Sequence, residues 1–85
     1  WEFPWFVAQV SYHSPQQPRF SNPREGQRLV LERRIALPGP DTDTLTGDHR
    51  DMDGEGIHFS PKGLKAHGEM WAKDVGDYLE AVLRR

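Results

Sequence analysis

The sequence predicts an α/β segment built on a parallel sheet, and three observations carry that expectation. Trp5 to Tyr12 (Trp-Phe-Val-Ala-Gln-Val-Ser-Tyr) is a nearly unbroken apolar, aromatic and β-branched run bounded by Pro4 and Pro15. Such a run reads as a strand buried on both faces, which is typical of parallel sheets. Two stretches with helix-start punctuation follow, one after Asn22-Pro23 and one after Ser60-Pro61, each a capping residue followed by a proline suited to the first helical turn. Between them lies Ile35-Ala36-Leu37, a short apolar patch that reads as a second strand.

The elements follow in order. A strand spans about 5–12, and residues 14–23, with three prolines among serine, glutamine and asparagine, form a loop. A helix spans about 23–34, capped by Asn22, with Leu29, Val30 and Ile35 on its apolar side. The short strand at about 35–37 is stopped by Pro38-Gly39-Pro40. From about 38 to 58 the chain is irregular and carries aspartates at 41, 43, 48, 51 and 53. A loop of this length inside a small domain is usually functional or disordered. A final helix spans about 61–84, capped by Ser60, with Leu64, Trp71, Val75, Tyr78, Leu79 and Val82 at three- and four-residue spacing.

Eighty-five residues with 35% hydrophobic content make one small domain at most. Two strands and two helices are too few to cover Trp5, Phe6, Val7 and Val10 together, because a doubly buried strand needs parallel neighbours and helices on both faces. The expectation is therefore the C-terminal part of a larger α/β domain, and the start at Trp1 rather than methionine reads the same way. A net charge of −2 gives no grounds for a nucleic-acid partner. No apolar run approaches the roughly 20 residues of a membrane span. The chain has no cysteine, so thiol catalysis and disulfides are excluded.

Four histidines and one acidic loop are the candidates for chemistry. His58, held between Ile57 and Phe59 just before the Ser60 cap, is placed to turn an imidazole towards a cleft. Its ordinary titration range suits a general base, and Glu55, three residues earlier, is placed to fix the tautomer. The competing reading is a loop histidine that caps backbone groups. Asp51, Asp53 and Glu55 around Gly54 resemble a sparse calcium loop but miss the spacing of an EF-hand. Tyr12 and His13 fall at the carboxyl end of the first strand, where ligands bind in open α/β sheets; His13 reads equally as a turn residue. Arg50, beside His49 in the long loop, is a substrate-contact candidate, and His67 reads as a partly buried structural histidine. No histidine pairing supports zinc, and Ser11, Ser14, Ser21 and Ser60 lack a nucleophile-elbow context.

Gly54 through Gly68 (Gly-Glu-Gly-Ile-His-Phe-Ser-Pro-Lys-Gly-Leu-Lys-Ala-His-Gly), followed by Trp71-Ala72, resembles the last sequence block of SGNH (GDSL-type) hydrolases, in the sialate O-acetylesterase-like branch of carbohydrate esterases. Pro4 to His13 and Gly39 to Leu45 resemble the same branch. The resemblance implies a three-layer αβα, flavodoxin-like sandwich and a serine esterase acting on acetylated carbohydrate, with no metal or organic cofactor. It implies His58 as base. The acid position of the family's Asp-x-x-His holds Glu55, which leaves Asp53, or an aspartate of the 41–51 loop, as a rival. The nucleophile and oxyanion-hole blocks have no match here, so the remaining, N-terminal part of the hydrolase domain would supply them. The implied enzyme suits a secreted or periplasmic setting, and the residues themselves fix no compartment.

Overall fold

The computed structural model describes residues 4–84. Strand β1 (Phe6–Gln9), helix α1 (Ser21–Glu32), strand β2 (Leu37–Asp41) and helix α2 (Pro61–Leu83) form a mixed α/β unit. Three short 3-10 turns, Thr42–Thr44, Gly47–His49 and Met52–Gly54, fill the passage from β2 to α2. The two strands pair in parallel, with Phe6 opposite Leu37, Val7 opposite Pro38 and Gln9 opposite Asp41. Between Val7 and Gln9 the partner spends an extra residue, so β2 carries a bulge there.

The first strand is shorter than the 5–12 expected, and half-buried rather than buried on both faces. Its one neighbour among the described residues is β2, so its outer edge is unpaired, and Trp5 and Val10 are 61% and 53% exposed. Ser11 leaves the strand because its N–H and hydroxyl turn to Asp43.

The second strand departs further from expectation. It does not stop at Pro38-Gly39-Pro40 but runs through them to Asp41, while Ile35 and Ala36 lie in the turn before it. The reason lies in which edge each residue faces. The Leu37 N–H donates to the Trp5 carbonyl at 2.7 Å; Pro38, one residue out of step, directs its missing donor away from β1. A proline there costs the ladder nothing, which is how edge strands tolerate it. Pro40 falls in the bulged stretch.

Helix α1 begins at Ser21, two residues before the expected start, and Phe20 rather than Asn22 stands at its N-cap without a side-chain cap. The Phe20 N–H is instead held by Ser11 Oγ at 2.8 Å, which ties the helix start to the end of β1. The helix stops at Glu32 because Arg34 adopts a left-handed φ of 58°. The Arg34 N–H then reaches the Leu31 carbonyl and the Ile35 N–H reaches Val30, both at about 3 Å, the Schellman arrangement normally built on glycine. Arg34→Gly is expected to stabilise the chain by about 1 kcal/mol, because glycine carries no Cβ penalty in that region. An unfolding midpoint that falls on this substitution contradicts the assignment.

The helices lie on opposite faces of the sheet. Phe6 meets Tyr78 of α2 edge-on with ring centroids 5.5 Å apart, and the Trp71 ring covers Gly39, where a Cβ would stand 2.7 Å from it. Gln9, of opposite parity to Phe6 along β1, bonds Arg24 of α1. In α2, Trp71, Val75, Tyr78 and Val82 are half-buried along the expected stripe. Leu64, in the first turn, and Leu79, on the flank, are exposed, and the inner face takes His67, Met70 and Asp74 instead.

Helix α2 starts as expected. Ser60 Oγ accepts the Gly63 N–H at 3.1 Å, and Pro61 opens the first turn. Gly63 is buried against the His49 carbonyl, where any side chain would collide. Gly63→Ala should therefore cost about 1–3 kcal/mol, the usual penalty for overpacking, as read by urea unfolding. An unchanged midpoint would mean that the turn and the helix do not dock this closely.

Candidate functional site

The chain beyond the carboxyl ends of β1 and β2 holds every candidate residue and a buried set that is mostly polar. Leu45 is the buried large hydrophobic residue there; Thr42, Asp43 and Arg50 are the buried polar ones. Asp43, with no exposed side-chain surface, accepts the Ser11 N–H at 2.7 Å, the Ser11 hydroxyl at 2.5 Å and the Arg24 guanidinium at 2.7 Å. Arg24 also forks onto both oxygens of Asp41, at 2.9 and 3.0 Å, and donates to Gln9 at 2.7 Å. One network thus joins the ends of both strands to the first turn of α1. Burial pushes the Asp43 carboxyl up, but the donors from Ser11 and Arg24 outweigh it and hold the group below its ordinary range. The same carboxylates hold the Arg24 guanidinium above its own ordinary value.

Arg50 organises the long loop from inside. Its Nε donates to the Leu45 carbonyl at 2.6 Å, Nη1 to Ile57 at 2.7 Å and Nη2 to Thr42 at 2.9 Å. The guanidinium lies 3.7 Å over the Tyr12 ring centroid and 4.5 Å from that of Phe59, so two aromatic faces replace its lost hydration. Burial pushes its pKa down, opposed by Tyr12, Asp43 and Asp51; a guanidinium nevertheless stays charged at any ordinary pH. At 5% exposed, with its donors spent on carbonyls, Arg50 is a staple of the loop and not an open substrate contact. Tyr12 is its aromatic floor, and the Tyr12 hydroxyl is buried without a hydrogen-bond partner among the described residues. His13 is exposed, with its ring 6.4 Å from that of Phe20 and its N–H in a turn onto Gln17.

His58 lies in a hairpin-like excursion closed by an antiparallel bridge between Arg50 and Phe59. The Asp51 N–H donates to the His58 carbonyl at 2.9 Å, and the Ser60 N–H donates to His49 at 3.0 Å. The His58 side chain is exposed, and among the described residues it makes no hydrogen bond or ion pair. Glu55 and Asp53 are exposed too, and neither carboxylate is brought onto the imidazole. Met52 and Asp53 both take left-handed φ values, 51° and 57°, which aims this acidic turn into solvent.

The other histidines have structural partners. His67 Nε2 accepts the Trp71 indole N–H at 2.9 Å and its ring packs on Phe59 at 4.7 Å, as expected of a structural histidine. His49 Nδ1 meets the Thr46 carbonyl at 3.2 Å. Ser60 donates its hydroxyl to the Asp48 carbonyl while capping α2. Among the described residues no group of three or more histidine and carboxylate side chains converges as a metal site, and no helix is long and apolar enough to cross a membrane.

A cleft of about 740 Å³ lies elsewhere: Trp5, Leu31, Ile35, Leu37 and Tyr78 line it, at the amino ends of the strands. The Ser11–Asp43–Arg24 network is nearly silent in the sequence. Its one sequence signal was the Asp41-x-Asp43 pair immediately after the second apolar patch.

No family model, no curated protein and no solved structure matches the chain. Fold and site together define a mixed α/β unit that gathers its polar groups beyond the carboxyl ends of two parallel strands.

Proposed function

We propose that this chain is the C-terminal segment of an SGNH-type carbohydrate O-acetylesterase, supplying the catalytic base while residues outside 1–85 supply the nucleophilic serine. The observation that carries this reading is His58: an exposed imidazole with no hydrogen-bonded partner among the described residues, on a hairpin braced by Arg50 and continuous with the Ser60 cap of α2. The loop begins at the carboxyl end of β2, the side on which open α/β sheets bind ligands.

Two further features support a larger, three-layer αβα sheet. Pro38 marks β2 as an outer strand, whereas the outer edge of β1 has no strand paired to it among the described residues and lies beside exposed Trp5, although the Gln27 amide takes both backbone groups of Val10. Such an edge is a template for another strand.

In the proposed reaction His58 takes the serine proton during attack on an acetyl ester and returns it to the departing sugar hydroxyl. The resemblance assigns the orienting of the ring to Glu55, with Asp53 or an aspartate of the 41–51 loop as its rival. No cofactor enters. The isolated 85-residue chain should hydrolyse p-nitrophenyl acetate no faster than an equal concentration of imidazole. Robust turnover that disappears in His58→Ala would show that the nucleophile lies within the chain.

One observation favours a second reading, a small non-catalytic carbohydrate-binding or interaction module. Trp5 is 61% exposed and offers the flat surface on which sugars stack; Trp1 lies outside the described residues. Under that reading oligosaccharide shifts the tryptophan emission of the chain and fails to do so in Trp5→Phe. Under the esterase reading the emission is unchanged.

A further inference from the structure

We infer that Asp51, rather than Glu55 or Asp53, is the positioning residue that fixes the tautomer of His58; the mechanistic meaning of this contact rests on the esterase reading above, but its geometry does not. The bridge between Arg50 and Phe59 sets the register of the hairpin. Its flanking hydrogen bonds, Asp51 N–H to the His58 carbonyl and Ser60 N–H to the His49 carbonyl, set Asp51 across from His58 at the mouth of the turn, where the isolated bridge ends and the Asp51 carbonyl turns to the Gly54 and Gly56 N–H groups.

Residues so paired project from the same side, with Cβ atoms about 4.5–5.5 Å apart. Arg50 and Phe59, the adjacent pair, touch across the bridge on their own side. Asp51 and His58 therefore share the face that turns away from the guanidinium.

The Asp51 carboxylate also lacks a donor. Its Oδ1 is buried and has no hydrogen-bond partner among the described residues, a costly condition for a carboxylate oxygen. Gly56 folds directly over that oxygen, so closely that no side chain fits at position 56. The nearby Gly54 and Gly56 N–H groups are spent on the Asp51 backbone carbonyl, and Arg50 is spent on Thr42, Leu45 and Ile57. What remains opposite is the imidazole of His58, which is itself without a partner. In the inferred contact the exposed ring turns to put Nδ1–H on Oδ1, which would satisfy the buried oxygen and leave Nε2 unprotonated and facing outward, as a general base requires. Glu55 and Asp53 sit on the solvent side of the turn, where an ion pair gains little.

The test is the imidazole ¹⁵N spectrum of the 85-residue chain, recorded where His58 is neutral. Wild type is expected to show mostly the Nδ1–H tautomer at His58. Asp51→Ala is expected to restore the Nε2–H majority of a free imidazole, while Glu55→Gln and Asp53→Asn leave the wild-type pattern in place. Amide shifts of Arg50 and Phe59 report whether the bridge survives each substitution. An Nε2–H majority in wild type overturns the assignment without need of any variant, and so does a tautomer change confined to Glu55→Gln or Asp53→Asn. Because no ester is hydrolysed in this experiment, its outcome is independent of the p-nitrophenyl acetate result.

Discussion

Asp43→Ala is expected to lower the unfolding free energy by about 3–5 kcal/mol, the range for removing one partner of a buried charged pair. The loss has two parts. The Ser11 N–H and hydroxyl lose their acceptor, and Arg24 keeps Asp41 but loses the carboxylate that ties it to the loop after β2. Folded domains hold only about 5–15 kcal/mol in total, so the variant stands near the limit of folding. Urea unfolding followed by tryptophan emission reads the change, and a loss below about 1 kcal/mol contradicts the network.

Acid gives a second reading of the same group. Asp43 is depressed in the folded state, so its stabilisation is fully present above its unfolded pKa and is lost as pH falls through the lower, folded value. Wild type should therefore weaken on acidification through that range more steeply than Asp43→Ala, in which this contribution is already absent.

Arg50→Met should be the next most damaging change. The apolar stem still packs against Tyr12 and Phe59, but the carbonyls of Thr42, Leu45 and Ile57 lose their charged donor. Hydrogen bonds to charged groups contribute about 1.5–3 kcal/mol each. They are not additive within one side chain, so a loss of about 3 kcal/mol is expected. The local signature is more telling than the total. Hydrogen exchange at the Asp51 and Ser60 amides, which donate across the bridge, should accelerate well beyond that of amides in mid-α2. Equal protection in wild type and variant contradicts the role of Arg50 as the staple of the loop.

What was legible in the sequence was whatever local chemistry decides. Ser60-Pro61 announced the start of α2 because an N-cap and a first-turn proline act within four residues. The apolar spacing from Trp71 to Val82 marked the inner face of that helix for the same reason. What was not legible depended on partners distant in the chain. Pro38-Gly39-Pro40 looked like a strand stop, since proline removes a donor; only the register with β1 reveals that the donor lost at Pro38 faces outward. The first residue of α1 was misplaced because Ser11, far upstream, holds the Phe20 N–H. Arg34 gave no hint of a left-handed conformation that glycine ordinarily takes.

At the candidate site the long loop stands out in the sequence for its aspartates, and His58 lies at its end. The interior of that loop was not found. A buried arginine packed between two aromatic rings and three carbonyls has no sequence signature, because its partners Tyr12 and Thr42 lie 38 and 8 residues away. Arg50 consequently read as a substrate contact when its geometry is that of a brace. Spacing likewise favoured Glu55 and Asp53 as partners for His58, whereas the bridge register places Asp51 across from it.

The central claim is that His58 serves as the base for a serine lying outside this segment. The most direct measurement is acetyl-ester hydrolysis by the polypeptide that joins residues 1–85 to that serine, comparing wild type with His58→Ala. General-base removal is expected to lower kcat by about 10²–10⁴-fold while KM stays near wild type, since the side chain is exposed. Wild-type kcat in His58→Ala would contradict the account.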